Sequence, residues 1–253
     1  MIVPSSNVTM ETEVPELMRR HERSATGAGQ GFSFHSSRAV LHRVDAESLR
    51  KMVGESDRCA LELADARVDV VAYACLIAIM AEGPGAHEAS EARLARTLSG
   101  AGCEAPVTSS AGALVRSLQR LSAERVAIVA PYMRPLTDVV CAYLGSYGID
   151  VVSSVSLEVP DNVDVGRLDP SRLPEHAAGL ELAGVDAVVL SACVQMPSLS
   201  ALHDASERLG LPVLSAATAT AAEILVLLGE APLVPDAGAA LAACGESTVA
   251  DQR

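Results

Sequence analysis

Two cysteines occupy positions from which a thiol could act on a small molecule. Cys75 follows residues 68–73 and Cys193 follows residues 185–190, and both stretches are rich in β-branched residues. Such stretches predict buried strands, and open α/β sheets bind ligands at the carboxyl ends of their strands. A thiol there can accept hydrogen bonds from the backbone N–H groups of the next turn, which would lower its pKa toward neutrality. We therefore predict two reactive thiols, one acting as nucleophile or base and the other as proton donor.

The other cysteines have weaker claims to chemistry. Cys141 lies on the apolar face of a predicted helix, whereas Cys59, Cys103 and Cys244 do not follow a predicted strand. We interpret them as structural or incidental. The sequence has neither a CxxC motif nor the cysteine and histidine spacing of a zinc site. We therefore predict no metal site and no cofactor.

Neutral polar residues also follow predicted strands. Ser5, Ser6 and Asn7 come after the first strand, Tyr132 comes after residues 125–130, and Asn162 follows a later extended run. Fixed hydrogen-bond donors of this kind recognise carboxylates without adding charge beside the thiols. Ordinary turn chemistry is the competing interpretation for any single one of them.

The order of the predicted elements indicates the fold class. Helical patterns alternate with short apolar strands, as in βα units built around a parallel sheet. The strands are predicted at residues 68–73, 125–130, 149–153, 185–190 and 212–214. The predicted helices end before Gly100, Gly148, Gly210 and Gly229. The chain is therefore predicted to be an α/β protein with mostly parallel sheets flanked by helices.

A faint internal repeat predicts two pseudo-symmetric lobes. Each half has a strand that leads to a proline (Pro4 or Pro131) and a later strand that leads to Cys75 or Cys193. We predict an N-terminal lobe over residues 1–115 and a C-terminal lobe over residues 116–253, with the last segment able to pack back onto the first lobe. The active site would lie in the cleft between the lobes.

Composition excludes some classes of function. Aromatic residues make up 2% of the 253 residues and the formal net charge is −13, so the chain lacks the stacking surface and the basic stripe of a nucleic-acid-binding protein. No apolar run is long enough to cross a membrane, and no signal-peptide pattern precedes residue 30. We predict a cytoplasmic protein with no membrane partner, and we take a homodimer as the common arrangement.

Five motifs together resemble a known family. They are PSSNVTMETEVP at residues 4–15, FHSSR at 34–38, AYACLIAIM at 72–80, APY at 130–132 and LSACVQMPS at 190–198. In this order they resemble the maleate cis–trans isomerases, which belong to the aspartate/glutamate racemase superfamily together with the arylmalonate decarboxylases. The resemblance covers nearly the whole chain except its last twenty or so residues.

The resemblance implies a cofactor-independent conversion of maleate to fumarate. In that reaction Cys75 would add to one alkene carbon and Cys193 would protonate its neighbour, which gives a covalent succinyl-cysteine intermediate. Asn7, Tyr132 and Asn162 would hold the carboxylate oxygens of this small dicarboxylate.

Two backbone groups extend this set of substrate contacts. Leu76 and Val194 come directly after the two cysteines, where their N–H groups could point at a developing enolate charge. Their apolar side chains would also suit a compact diacid without an amino group.

Three alternatives remain open from the sequence. A racemase of a small amino diacid or hydantoin would use the same two thiols for proton exchange. An arylmalonate-type decarboxylase would typically use one cysteine, and a small-acid binding module would need neither. Conversion of maleate, proton exchange at an amino acid, and binding without turnover distinguish these possibilities.

Overall fold

The fold is given by a computed structural model, which describes residues 1–24, 29, 31–41 and 43–242. Within these residues eight strands form two parallel sheets. The first sheet contains β1 (Ile2–Pro4), β2 (Ser37–Ala39), β3 (Val71–Tyr73) and β4 (Val107–Ser109). The second contains β5 (Arg125–Ala130), β6 (Asp150–Ser156), β7 (Ala187–Ser191) and β8 (Val213–Ser215).

The two sheets have the same strand order. The first runs β2-β1-β3-β4 and the second runs β6-β5-β7-β8, and neighbouring strands are parallel in both. This shared topology is what a pseudo-twofold relation between the halves requires. The predicted fold class, an α/β protein with two parallel sheets flanked by helices, is confirmed.

Helices connect the strands and cover the sheets. In the first half they are α1 (Met10–Arg23), α2 (Ala46–Asp65), α3 (Leu76–Met80), α4 (Ala86–Gly100) and α5 (Ser110–Arg120). In the second half they are α6 (Arg134–Gly145), α7 (Asn162–Val165), α8 (Leu173–Ala177), α9 (Leu202–Leu209) and α10 (Ala216–Leu227). Short 3₁₀ turns lie at Pro170–Arg172, Leu199–Ala201 and Ala239–Leu241.

Local sequence signals explain where several helices begin and end. The side chains of Asp45, Ser109 and Ser215 each accept a hydrogen bond from a backbone N–H in the first turn of α2, α5 and α10, respectively. Helix α9 ends at Gly210, whose φ of +63° is readily adopted by glycine.

The central strands are buried on both faces, as parallel strands between helical layers are expected to be. Every residue of β3 and β7 is buried, and so are Val126 to Ala130 in β5. These strands carry the loops that hold the candidate site, so the rigid core of each sheet fixes the starting point of each loop.

The predicted strands match the observed ones with small shifts. Residues 125–130 match β5, whereas the strand predicted at 68–73 begins only at Val71, where its pairing with β4 starts. The strand predicted at 149–153 continues to Ser156. Cys244 lies outside the described residues.

Several elements join the two halves. Helix α10 contacts α1, α5 and β4 of the first half as well as β7 and β8 of its own half, and α3 contacts α6. The division into lobes at residues 115 and 116 stays a prediction. Among the residues with described positions, no helix is both long and apolar enough to span a membrane.

Candidate active site

Cys75 lies between β3 and the first turn of α3. It is 4% exposed and is surrounded by the buried apolar residues of that helix. Burial, with a smaller contribution from charge on Cys193, raises the pKa of its thiol to about 12 against the opposing hydrogen bond from the backbone N–H of Ala78. The thiol is therefore neutral at physiological pH in this state of the protein.

Cys193 lies in an irregular loop after β7, residues 192–198, which we call the Cys193 loop. The hydroxyl of Ser191 lies within hydrogen-bond distance of the carbonyl oxygens of Cys193 (2.9 Å) and Met196 (3.1 Å), which it can share as acceptors, and this folds the loop back on the end of its strand. Cys193 is also 4% exposed, and its sulfur accepts a hydrogen bond from the backbone N–H of Gln195 at 3.4 Å.

The surroundings of Cys193 act on its pKa in two directions. Burial raises the pKa of the thiol, while hydrogen bonds from the Tyr132 hydroxyl and from the backbone N–H groups of Gln195 and Met196 lower it. The net effect is a pKa above the ordinary range. The prediction that strand-end amides bring the thiol pKa values toward neutrality is wrong for both cysteines, because desolvation outweighs the few N–H donors at each sulfur.

Tyr132 bonds to Cys193 and lies near enough to Cys75 for the two groups to interact electrostatically. Its side chain is 4% exposed and follows β5, and burial raises the pKa of its hydroxyl well above the usual value. Charge on Cys193, the hydrogen bond to Cys193 and charge on Cys75 all raise it further. The structure therefore brings Cys75, Cys193 and Tyr132 together in one enclosed place, with one thiol from each sheet.

Both predicted asparagines lie beside the Cys193 loop. Asn7 is fully buried after β1, where its amide donates to the carbonyl oxygen of Val194 at 3.2 Å and its side-chain oxygen accepts from the N–H of Met10 at 3.0 Å. Asn162 is the first residue of α7 and donates to the hydroxyl of Ser6 at 2.7 Å. To hold a substrate carboxylate, each amide would have to share or exchange these protein partners.

Comparisons with known proteins identify the family of the chain. The arylmalonate decarboxylase family profile matches residues 1–241. A maleate isomerase from Geobacillus stearothermophilus is 54% identical over 241 residues, which cover 95% of this chain and 95% of the relative. This chain belongs to the maleate isomerase family.

Solved structures extend the similarity to three dimensions. A structure of the maleate isomerase Iso from Pseudomonas putida S16, a cysteine-to-alanine variant with maleate, is 47% identical, has a TM-score of 0.92 and covers 95% of each chain. A cysteine-to-serine variant of the Nocardia farcinica maleate cis–trans isomerase has a covalently bound succinylcysteine intermediate. It is 48% identical with a TM-score of 0.90, and the match covers 95% of this chain and 96% of that one. The predicted family and the predicted class of enzyme, an isomerase, are thereby confirmed.

Leu76 and Val194, the two predicted backbone donors, flank the thiols of this maleate isomerase family member. Both residues are buried, Leu76 as the first residue of α3 and Val194 within the Cys193 loop. The amides that act on the sulfurs, however, are those of Ala78, Gln195 and Met196. A role for the N–H groups of Leu76 and Val194 toward a substrate stays a prediction.

Sequence reasoning missed two residues that organise the site. Glu13 in α1 accepts hydrogen bonds from the N–H groups of Ser198 (2.6 Å) and Leu199 (2.8 Å) at the end of the Cys193 loop. Gln195 bonds through its side chain to three backbone groups of neighbouring loops. Glu13 lies inside the motif PSSNVTMETEVP and Gln195 inside LSACVQMPS. A carboxylate or carboxamide within a motif was therefore the signal in the sequence that could have identified them.

A metal site is not part of this arrangement as far as the structure describes the chain. Among residues 1–24, 29, 31–41 and 43–242, no group of three or more histidine, cysteine or acidic side chains is placed to hold a metal ion. The functional groups of the candidate site are the thiols of Cys75 and Cys193, the phenol of Tyr132, and amides.

Proposed function

We propose that this protein converts maleate to fumarate without a cofactor, through a covalent adduct on Cys75. The observation that carries the proposal is that two buried thiols, one after β3 and one after β7, interact electrostatically with each other and with Tyr132, whose hydroxyl bonds to Cys193. The relatives supply the substrate, since one is bound to maleate and another has a succinylcysteine.

The resting pair of thiols holds at most one negative charge. A charge on Cys193 opposes ionisation of Cys75, and Cys193 accepts more hydrogen bonds than Cys75 does. The charge therefore forms first on Cys193, which then takes the proton from the Cys75 thiol. This transfer gives a nucleophilic Cys75 thiolate and leaves the proton on Cys193.

In the first chemical step the Cys75 thiolate adds to one alkene carbon of maleate. The alkene electrons move toward the neighbouring carbon and its carboxylate, and Cys193 donates its proton to that carbon. The product is a succinyl group on Cys75 opposite a Cys193 thiolate.

In the second step the former double bond rotates and is formed again. Rotation about the new single bond relieves the crowding of the two cis carboxylates. The Cys193 thiolate then removes the proton, the electrons restore the double bond, and the carbon–sulfur bond breaks to release fumarate and the Cys75 thiolate. The cycle needs no oxidant and no co-reactant.

Neutral donors would hold the substrate during this rotation. We assign the carboxylate oxygens to the side chains of Asn7, Tyr132 and Asn162, and the developing enolate charge to the N–H groups of Leu76 and Val194. Neutral donors suit the site, because a fixed cation would stabilise the Cys75 thiolate once it forms and weaken its nucleophilicity.

Mass spectrometry together with proton NMR tests the proposal. Incubation of the protein with maleate should produce fumarate in the NMR spectrum and a succinyl adduct on the peptide that contains Cys75. The Cys141→Ala variant is the control, because its thiol is in α6 and should leave both signals unchanged. Absence of fumarate, or an adduct confined to another cysteine, would contradict the proposal.

The setting of the enzyme is also a proposal. We infer that substrate binds between an N-terminal lobe of residues 1–115 and a C-terminal lobe of residues 116–253, in a cytoplasmic homodimer. Free thiols at Cys59, Cys75, Cys103, Cys141 and Cys193 are compatible with a reducing compartment. Light scattering of the purified protein tests the dimer, and a monomeric mass would contradict it.

A further inference from the structure

The side chain of Gln195 uses its whole carboxamide to join separate loops. Its oxygen accepts from the N–H of Val8 at 3.0 Å, and its nitrogen donates to the carbonyl oxygens of Ser6 at 2.9 Å and Asn162 at 2.8 Å. The residue is 2% exposed. A buried carboxamide with all of these bonds made is strongly held in one orientation.

The partners of Gln195 are the backbone groups that carry the two candidate carboxylate ligands. Ser6 and Val8 flank Asn7 in sequence, so their two bonds fix the backbone on either side of it. The third bond is to the carbonyl of Asn162 itself. One side chain from the second half thus sets the position of an asparagine in each half.

The backbone of Gln195 acts on the reacting sulfur as well. Its N–H donates to the Cys193 sulfur at 3.4 Å, and its carbonyl accepts from the Thr9 hydroxyl at 2.5 Å. A displacement of this residue would therefore be transmitted to Cys193, Asn7 and Asn162 together.

We propose that Gln195 is the positioning residue that assembles the two carboxylate-binding asparagines around the thiols when the halves of the site meet. This inference rests on the proposed function, because it assigns Asn7 and Asn162 to the substrate. The carboxamide of Gln195 touches neither a reacting atom nor, in this assignment, the substrate, and only the backbone N–H of the residue reaches the Cys193 sulfur.

A close approach at Gly166 makes room for the carboxamide. A Cβ atom at Gly166, at the end of α7, would lie 2.6 Å from the side-chain nitrogen of Gln195 and 3.0 Å from a methyl carbon of Val8. The carboxamide cannot swing away freely, because three hydrogen bonds hold it. Gly166→Ala therefore disturbs Gln195 without changing its chemistry.

The first test replaces the carboxamide with a chain of similar size. Gln195→Met should raise the KM for maleate by about tenfold or more and change kcat less, because the loss of the bonds that fix the asparagines weakens carboxylate binding. Gln119→Met, at an exposed position on α5, is the control and should leave both constants unchanged. An unchanged KM in Gln195→Met would overturn the inference.

A double-mutant cycle distinguishes positioning from general structural support. If Gln195 acts through Asn7 and Asn162, Gln195→Met should raise KM by a smaller factor in the Asn162→Ala background than in the wild-type protein. Fully additive effects would overturn the inference. Hydrogen exchange gives a readout without turnover: residues 5–9 and 161–166 should lose protection in Gln195→Met, and unchanged protection would also overturn it.

Gly166→Ala keeps the inference testable even if Gln195→Met does not fold. It should raise KM in the same direction, whereas Gly145→Ala, where a Cβ has open space at the end of α6, should not. Equal effects of the two alanines would overturn the inference. The proposed function has a separate outcome, because failure of the wild-type protein to form fumarate would reject it while the hydrogen-exchange comparison could still be made.

Discussion

Cys75 and Cys193 follow corresponding strands, β3 and β7, of two sheets with the same strand order, yet the chain around them differs. The first turn of α3 follows Cys75 and is part of the same half of the molecule. The Cys193 loop is irregular, and several of its hydrogen bonds come from the other half. The helix after Cys75 belongs to its own half, whereas the loop that carries Cys193 also bonds to the opposite half.

The cross-half contacts of the Cys193 loop come from a short stretch at the start of the chain. Asn7 donates to the Val194 carbonyl, the Thr9 hydroxyl donates to the Gln195 carbonyl, and Glu13 accepts from the N–H of Ser198. Part of the hydrogen bonding that holds the loop therefore comes from contact between the two halves. The two sheets have the same topology, but the loop after β7 depends on the other half in a way that the equivalent position after β3 does not.

The electrostatic surroundings differ in the same direction. Burial raises the pKa of both thiols, but Cys193 has three opposing hydrogen bonds, one of them from the Tyr132 hydroxyl, and Cys75 has one. A sulfur that is better solvated by donors suits a proton carrier, which must exist as thiol and as thiolate in each cycle. A sulfur with few donors makes a more reactive nucleophile once it is ionised, because less stabilisation is lost on attack.

Removal of either thiol should give the largest effect, and the two variants should differ in the covalent species. Cys75→Ala and Cys193→Ala should each lower kcat by at least about a thousandfold, because nucleophile and proton carrier act as a unit. With Cys193→Ser, mass spectrometry should still find a succinyl group on Cys75, since a hydroxyl can deliver the first proton but removes the second poorly. Cys75→Ser should show no adduct on Cys193.

The controls for this pair are internal. Cys59→Ala and Cys141→Ala should retain wild-type turnover and the same adduct on Cys75. An adduct on Cys193 in the Cys75→Ser variant would reverse the assigned roles, and retained turnover in both alanine variants would exclude thiol chemistry.

The periodicity of the sequence was sufficient to predict the second sheet and the loops after β3 and β7. Residues 125–130, 185–190 and 212–214 are strongly apolar and bounded by turns, so their apolar character is enough to identify them as buried strands. Strands β2 and β4 were not predicted, because Ser37–Ala39 and Val107–Ser109 are short and contain polar residues. Their strand conformation depends on pairing with β1 and β3, which a local pattern does not contain.

The candidate site was predictable in its residue types and less so in its electrostatics. The two thiols, Tyr132 and the two asparagines lie after strands, and this placement follows from the pattern. The pKa of Cys75 could not be predicted from the sequence pattern, because desolvation depends on how tightly the rest of the chain encloses the sulfur. Gln195 was missed for a related reason: its partners are backbone groups distant in sequence.

Loss of the Tyr132 hydroxyl should have the next largest effect. Tyr132→Phe removes a donor that favours the Cys193 thiolate, and it also removes a proposed carboxylate contact. We expect kcat/KM to fall by roughly a hundredfold, which corresponds to about 2.7 kcal/mol. Steady-state assays with maleate measure this. Tyr147→Phe is the control, because its hydroxyl bonds to Gly85 and Glu88 rather than to a thiol. Equal losses in both variants would contradict the assignment.

The pH dependence of turnover should show that the thiolate is scarce. Because burial holds the pKa of both thiols above the ordinary range, the ionised fraction at neutral pH is small and grows as the pH rises. We expect kcat/KM to increase by up to about tenfold per pH unit above pH ~7, until the lower of the two coupled pKa values is reached. In Tyr132→Phe the rise should shift to higher pH. A flat wild-type profile through pH ~9 would show that the thiolate is already formed, contrary to the buried pair.

Removal of one contact between the Cys193 loop and the other half should have the smallest effect. We expect that effect in the free energy of unfolding. Glu13→Ala leaves the N–H groups of Ser198 and Leu199 without their carboxylate partner, so the free energy of unfolding should fall by about 1–3 kcal/mol. Glu16→Ala, which removes a partly exposed pair with Arg20, should change it by less than about 1 kcal/mol. Denaturant titration measures both values, and hydrogen exchange locates the change.

If the cross-half contacts hold the Cys193 loop, protection should fall at residues 193–199 in Glu13→Ala and remain unchanged around Cys75. An equal loss of protection at residues 193–199 and around Cys75 would mean that Glu13 stabilises the fold as a whole. The contrast between the two thiols would then not depend on Glu13.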